Sequence, residues 1–583
     1  VTAESRTVQS GDVRLAVWES GDKGKPTVLL VHGYPDTHTV WDGVVGELSE
    51  RYHVVTYDVR GAGASEPPSG RGGYKLEQLA RDFFAVADAV SPDRPVHVVA
   101  HDWGSIQSWE AVTEPDAHRR IASYTSISGP CLDHVGEWIR YRLSNPTPHH
   151  LRQLATQQLH SWYIVAFHLP ALAPLAWRLG LSSRWGKILR TVEGVRTTAA
   201  HPAPTLSKDA VRGISLYRAN MRPRLQNPRP RRTEVPVQVI SPTGDHYVSA
   251  ALAEGLEKHV SQLWRRSLAA RHWAPLTHAP AVARMVAELI DHIEGAPASP
   301  ELQRSLAGGP KKRAFDGQLV VVTGAGSGIG RATALAFAGV GAKVVVGDLN
   351  LEAAERTALL AGLVGPAAHA YEVNVADEKA VQEWAGEVAA THGVPDVLVN
   401  NAGIGHSGTF LQTTTEEWQR VLDVNLWGVI YGCQAFGALM AERGEGGHIV
   451  NVSSAAAYLP SKILAAYATS KAAVFMLSDC LRAELVTHGI GVSAICPGVV
   501  NTNITKTSTF SGVSAADQDR QRARASRAYA RRNFGPEGVA KEIVRAVWHD
   551  RAVVPVTPEA KVARLLSRLA PSVLRRAARL GIG

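Results

Sequence analysis

At 583 residues the chain exceeds what one hydrophobic core serves, so two or more domains are expected. Charged residues make up 20% and hydrophobic residues 45%, which excludes a largely disordered chain, and no apolar run reads as long enough to span a membrane. The net charge of +9 collects in local arginine clusters, which argues against nucleic acid as a partner.

The N-terminus is polar and lacks the order of a secretory signal, so a cytoplasmic chain is expected. Cys131, Cys433, Cys480 and Cys496 are too scattered for a disulfide framework or a metal cluster; they read as core residues, and no metal site is expected. Two strand, Gly-rich turn and helix units, near Val28 to Pro35 and near Leu319 to Arg331, predict two α/β domains in series. The first is placed at 1–295, with a helical, aromatic-rich cap inserted at about 131–233. A Pro-, Gly- and Ala-rich linker follows at 296–314, then a second domain at 315–558 and a basic amphipathic tail at 559–583.

In the first domain, Val96 to Ile106 reads as a buried strand, a tight turn and a helix, with Asp102 at the position of a nucleophile elbow. A serine attacking an sp3 carbon would form an ether, whereas a carboxylate forms an ester that water can cleave. The following helix favours the anion, so Asp102 needs no base to activate it. The chain order of such folds then places Asp245, at the end of the strand Val235 to Asp245, beside His272 as the base for water. The backbone N–H groups of Tyr34 and Trp103 are candidates for the oxyanion hole.

With His32-Gly33-Tyr34-Pro35, Asp58 to Ser65, His101-Asp102-Trp103-Gly104 and His272-Trp273, this half resembles the epoxide hydrolases of the α/β-hydrolase superfamily. The resemblance implies two cap tyrosines, Tyr163 and Tyr217, as acids on the epoxide oxygen. Haloalkane and fluoroacetate dehalogenases share the Asp-His-Asp set, but Tyr34 and Trp103 stand where those families typically carry Asn and Arg. A silent scaffold that binds lipid for the second domain is the other alternative. His101 and His32 read as packing and turn-fixing residues, the cap tryptophans Trp138, Trp162, Trp177 and Trp185 mainly as core, and Arg222 to Arg232 as a solvated loop.

In the second domain, Gly324, Ser327, Gly328, Ile329 and Gly330 form a Gly-rich turn between a strand and a helix, suited to a pyrophosphate. Asp348, at the end of the next strand, is placed to accept the adenosine ribose hydroxyls, which favours NAD over NADP, with Arg331 as the residue that argues the other way. With Asn400 to Gly403, Asn425, Ser454, Tyr467, Lys471 and Cys496 to Thr502, this half resembles the short-chain dehydrogenase/reductases, a Rossmann fold. The resemblance implies Tyr467 as acid/base, tuned by Lys471 one helical turn away, with Ser454 holding the substrate oxygen and Asn425 relaying water. It also places Asn374, where the family usually has Asp, with Val375, Asn401, Ala402, Gly403, Pro497, Gly498 and Thr502 around the cofactor.

The whole chain is similar to actinobacterial fusions of an epoxide hydrolase with a short-chain dehydrogenase, a family associated with mycobacterial lipid metabolism. A bifunctional enzyme on lipid-like substrates is the resulting expectation, with a relay from diol to hydroxyketone as one consequence. A homo-oligomer formed through the second domain is expected as well. The dehydrogenase half acting mainly as a dimerising module is a separate alternative. The tail fits either a peripheral anchor at the inner face of the membrane or a helix docked on the second domain.

Overall fold

The computed structural model describes residues 4–308, 313–532 and 534–579. The chain divides into two compact units, Val1–Gly308 and Gly309–Gly583. Residues 309–312 of the expected linker and 580–583 of the expected tail lie outside the described residues.

The first unit is an eight-stranded sheet. Its strands are β1 (Glu4–Ser10), β2 (Val13–Ser20), β3 (Thr27–Val31), β4 (His53–Tyr57), β5 (Val96–His101), β6 (Ile121–Ile127), β7 (Val237–Pro242) and β8 (Leu263–Leu268), in the order β1-β2-β4-β3-β5-β6-β7-β8. Only the pairs β1/β2 and β2/β4 are antiparallel. Every residue of β3, β4 and β5 is buried, as expected of central parallel strands covered on both faces. Separate apolar clusters, one around Phe83 and Trp109 and one around Trp41 and Val286, cover the two faces. The cap is helical from Leu132–Ser144 to Leu206–Gln226.

Four expectations change here. Residues 299–307 of the supposed linker pack on the first unit: Ser299 caps the helix Pro300–Ser305, Leu302 is buried with Trp264 and Leu289, and the Ala307 N–H donates to the Leu263 carbonyl at 2.7 Å. Arg222 to Arg232 is a solvated loop only in part: Arg222, Asn227, Pro230 and Arg232 are exposed, but Glu110, itself buried, pairs with Arg229 at 2.7 Å and with Arg231, while Asp133 takes Arg229 at 2.9 Å. Trp138 and Trp177 are core, but Trp162 is 69% exposed, and Cys480 is exposed while the other three cysteines are buried.

The second unit carries β9 (Leu319–Thr323), β10 (Lys343–Asp348), β11 (His369–Glu372), β12 (Val397–Asn400), β13 (His406–Ser407), β14 (Gly447–Val452), β15 (Ile490–Cys496), β16 (Thr509–Phe510) and β17 (Val553–Pro555). Seven of them form a parallel sheet in the order β11-β10-β9-β12-β14-β15-β17, and β13 pairs with β16 apart from it. The order reverses between β9 and β12, and that switch point opens a crevice at the carboxyl ends of the strands. The helical stretch Thr415–Arg443 is long and apolar enough to cross a membrane, contrary to the reading from sequence, yet Val429, Phe436 and Met440 lie in the core of this unit.

The first tail helix, Pro558–Leu569, docks on the same unit. Ala560 and Ala563 are buried, Tyr458 donates its hydroxyl to the Ala560 carbonyl at 3.0 Å, and the Arg564 guanidinium lies 4.7 Å from the Phe475 ring centre. The next helix, Pro571–Arg579, buries none of its residues. Removing a buried partner leaves the opposing charges unsatisfied. Glu110→Ala is therefore expected to cost about 3 kcal/mol, read as a lowered urea midpoint for the first unit.

Candidate active sites in the two units

Asp102 follows β5 directly, with φ 52° and ψ −125°, and the helix Trp103–Val112 begins at the next residue. That backbone conformation strains an L-residue by about 1–3 kcal/mol. It is held because the turn has no room to relax: a Cβ on Gly104 would lie 2.2 Å from the Val31 carbonyl oxygen. One Asp102 oxygen, Oδ2, accepts the Tyr34 N–H at 2.7 Å. Trp103 is the first helical residue, so its N–H is one of the first-turn donors that lack an acceptor within the helix.

The other oxygen, Oδ1, lies 3.6 Å from Nε2 of His272, whose Nδ1 meets Asp245 Oδ2 at 3.0 Å. Burial of the His272 ring opposes its positive charge, but Asp245 and Asp102 outweigh it and hold the pKa well above the usual histidine value. Burial likewise opposes charge on Asp245. The His272 ring and the N–H groups of Val248 and Tyr247 outweigh that and bring its carboxyl down to about 2. His101 accounts for its burial by bonding the His272 carbonyl through Nε2 at 2.9 Å. His32 bonds the Gly33 carbonyl through Nδ1 and accepts the Val59 N–H, so it fixes its own turn.

The cap supplies a second layer. The Tyr217 ring packs 4.8 Å from Trp103, 5.5 Å from Tyr34 and 6.0 Å from Tyr163, measured between ring centres. Burial first, then the Asp102 charge, raises the Tyr163 pKa, and burial with Tyr163 and Asp102 raises that of Tyr217. Both phenols therefore stay protonated and able to donate. Arg218 ties their two helices together through the Phe167 and Leu169 carbonyls, each at 2.7 Å. The Tyr34 hydroxyl donates to the Ala210 carbonyl at 3.0 Å and joins the turn after β3 to the cap.

Two residues of this site were not read from the sequence. Tyr247 stacks edge-on to His272 at 4.8 Å and to Tyr163 at 5.5 Å; its place two residues after Asp245 was the available signal. Glu193, buried in the cap, accepts the His272 backbone N–H at 3.1 Å, and burial holds its carboxyl above the usual carboxylate range. Nothing in its local sequence marks it.

In the second unit, Ser327 immediately precedes the helix Gly328–Gly339 that follows the Gly-rich turn after β9, and its side chain makes no capping hydrogen bond. A Cβ on Gly330 would lie 2.3 Å from the Gly324 carbonyl oxygen, so this cradle admits only glycine. Asp348 ends β10 and accepts the Gly326 N–H at 2.7 Å and the Asn350 N–H at 3.0 Å. Arg331 is engaged by Thr357 at 3.0 Å and by the Gly326 carbonyl. Asn401 donates to the Thr323 and Gly324 carbonyls, and Ala402 gives its N–H to Thr323 Oγ1. Asn374 accepts the Ala376 N–H through its side chain, while Val375 beside it is buried. Thr502 lies against Gly328, so it borders the same turn.

At the other end of the crevice, Tyr467 and Lys471 share the helix Ala465–Leu485, with Lys471 Nζ 5.9 Å from the Tyr467 ring centre. Lys471 Nζ donates to the Val452 carbonyl at 3.0 Å, and burial lowers its pKa to about 8. Asn425 is fully buried in a π-helical turn, Asp423–Trp427, of a kind often found at functional sites. It accepts the Ile404 N–H at 2.8 Å and donates to the Ile404 carbonyl at 3.0 Å. The loop carrying Gly403 lies against both Asn425 and Lys471. Ser453 spends its hydroxyl on the Lys471 carbonyl at 2.7 Å, whereas Ser454 accepts the Ala456 N–H at the start of a short helical turn. The Pro497 carbonyl accepts the Ala455 N–H at 2.8 Å, and Gly498 packs under Thr557 and Glu559. The structure thus sets Lys471 beside Tyr467 and, across the loop of Gly403, beside Asn425, with Ser454 next in the chain to the Ser453 that bonds Lys471, while Gly324, Gly330 and Asp348 lie around the Gly-rich turn.

Comparison with known proteins gives the same division. Residues 26–279 match the α/β hydrolase fold family and residues 318–510 match the short chain dehydrogenase family. Over part of its length the chain is 37% identical to a sorbitol dehydrogenase of Cereibacter sphaeroides, across 187 residues that make up 32% of this chain and 72% of that one. A short chain dehydrogenase/reductase of Burkholderia phymatum, solved in complex with NAD, matches at 30% identity and a TM-score of 0.40 over 46% of this chain and 95% of its own. A Mycobacterium tuberculosis protein named "Probable oxidoreductase EphD" is 44% identical over 587 aligned residues that take in 99% of both chains. Matched from end to end by a relative of that identity, the chain belongs to the family of two-domain proteins that join an α/β-hydrolase domain to a short-chain dehydrogenase domain.

Proposed function

We propose that the first domain hydrolyses epoxides to vicinal diols and that the second interconverts a secondary alcohol and a ketone with NAD, both on lipid-like substrates. The observation that carries the first half is the pairing of Asp102 and His272 with two protonated phenols, Tyr163 and Tyr217, whose ionisation the Asp102 charge opposes. A dehalogenase needs no acid on its leaving group, whereas an epoxide opened at neutral pH does.

Asp102 attacks one epoxide carbon, the C–O bond breaks, and a phenol proton moves to the departing oxygen. The product is a hydroxyalkyl ester of Asp102. Its formation removes the Asp102 charge and with it part of the field that keeps His272 protonated. The imidazolium proton then makes good the one lost by the phenol, and the neutral ring accepts a proton from water as water attacks the ester carbonyl carbon. Tyr34 and Trp103 N–H groups receive the developing oxyanion; on its collapse the ester C–O bond breaks, the carboxyl proton passes to the departing alkoxide, and the diol leaves with Asp102 restored as the carboxylate. Asp245 steadies the imidazolium through Nδ1.

The glycine cradle and Asp348 fit a dinucleotide, with the acidic side chain on the ribose hydroxyls and against a 2'-phosphate. A nicotinamide held in this crevice would supply or accept the hydride. Tyr467 exchanges a proton with the substrate oxygen, Ser454 holds that oxygen, and the Lys471 ammonium favours the phenolate. A relay in which the diol is oxidised to a hydroxyketone follows from joining the two activities in one chain.

Product analysis by mass spectrometry on a long-chain cis-epoxide tests the whole reading: diol without NAD and hydroxyketone with it are expected, and the absence of both returns the dehalogenase or scaffold reading. Tyr163→Phe and Tyr217→Phe are each expected to slow ring opening by about 10- to 100-fold, and the pair by more, measured as single-turnover alkylation. Asp102→Asn is expected to abolish diol formation and to lower the His272 pKa, which imidazole nitrogen shifts in NMR titration would report. The sign follows from the charge removed: without Asp102 the imidazolium loses one of the two anions that raise its pKa. Asp348→Ala is expected to weaken NAD binding and to narrow the preference for NAD over NADP, read from the two Kd values.

A further inference from the structure

We infer that the outer face of the cap is a docking surface for an anionic lipid membrane, beside the hydrolase site. The helix Trp162–His168 is apolar on opposite sides. Tyr163, Ile164 and Phe167 pack inward on the aromatic cluster of Tyr34 and Tyr217, while Trp162 and Val165 are exposed. Leu169, Leu172 and Leu179, which follow in the chain, are exposed as well, these five residues being 47% to 76% exposed. A helix that is apolar all round is normally covered on every side. In the same region, Trp162–His168 and Leu172–Glu193 together form a sharply bent pair whose length and composition suit a membrane environment.

Charge selects the occupant. From Trp138 to Val192 the sequence contains no aspartate or glutamate. Arg152, Arg178, Arg184, Lys187 and Arg190 are exposed, and among the described residues none of them has an ion pair. A second copy of the chain seated on this face would bring two such basic sets together, so self-association is opposed. A bilayer with anionic headgroups satisfies both features at once, taking the apolar side chains at the acyl boundary and the cations among the phosphates. Trp162, next to the inward-facing Tyr163, would sit at the boundary where an apolar ring with a polar N–H is favoured. On the epoxide reading above, a lipid epoxide would then pass from the bilayer to Asp102 without crossing water.

Co-sedimentation of the full chain with vesicles tests this, using phosphatidylcholine alone and phosphatidylcholine mixed with phosphatidylglycerol. Binding to the mixed vesicles is expected, and Val165→Glu/Leu172→Glu/Leu179→Glu should raise the lipid needed for half binding at least about tenfold. Turnover of a small water-soluble epoxide should stay unchanged in that variant. Arg184→Glu/Lys187→Glu should reduce the preference for the anionic vesicles and leave the fold intact by circular dichroism. No binding by the wild type overturns the inference, as does equal binding by the triple variant, or loss only in the tail variant Arg575→Glu/Arg576→Glu. An oligomer that the triple variant dissolves, without vesicle binding, would assign the face to a second copy instead. Since binding is read without turnover, a chain that binds vesicles and opens no epoxide keeps this inference and loses the catalytic one.

Discussion

The strained turn at Asp102 is the constraint on which the first domain depends. Its left-handed backbone projects the carboxylate above the sheet, and the close packing of Gly104 on β3 prevents the turn from relaxing. The neighbouring residues of the candidate site are then arranged around one anion. The Tyr34 N–H meets one oxygen and His272 faces the other, and the cap phenols lie in its field. The cap helix Leu206–Gln226 is fixed to this arrangement at two points, by the Tyr34 hydroxyl on Ala210 and by Asn220, which bonds the backbone of Leu76 and Tyr74.

The second domain solves a different problem, recognition of an extended ligand along a crevice. Its constraints are steric at one end and electrostatic at the other. Gly330 keeps the first turn close to the Gly-rich backbone, while the π-helical turn at Asn425 aims a buried amide at the Ile404 backbone behind the loop of Gly403. Lys471 is held by the Val452 carbonyl, so its position is set by β14 rather than by the flexibility of its own stem. The tail helix Pro558–Leu569 closes the floor beside this end, through Gly498 against Thr557 and Glu559.

Much of this was legible in the sequence because it lies in local spacing. The elbow, the Gly-rich turn with Asp348, and the pair Tyr467 and Lys471 each depend on residues a few positions apart in one strand, turn or helix. What sequence could not show depends on distant partners. The arginines at 229 and 231 looked solvated because Glu110 and Asp133, which bury them, lie about 100 residues earlier. Glu193 escaped notice since its partner is a backbone N–H, which no side-chain pattern encodes. The stretch after Glu294 had linker composition, yet one leucine, Leu302, with a Ser299 cap was enough to pin it. Trp162 and Tyr163 are neighbours that face opposite ways, and composition alone does not separate the two sides of a short helix.

Burial acts on a titrating cation in both domains, with opposite outcomes. It disfavours positive charge on His272 and on Lys471 alike. At His272 two carboxylates within reach outweigh it and the pKa rises; at Lys471 the one opposing influence, Cys496, is too weak, and the pKa falls to about 8. The protonation state in each site is therefore decided by neighbouring charge, since burial is common to both. Chemistry that changes that charge changes the state. On the proposed mechanism, esterification of Asp102 would remove an anion and move His272 toward the neutral base that the next step requires. On the same proposal, ionisation of Tyr467 would add an anion and move Lys471 toward the ammonium that sustains the phenolate.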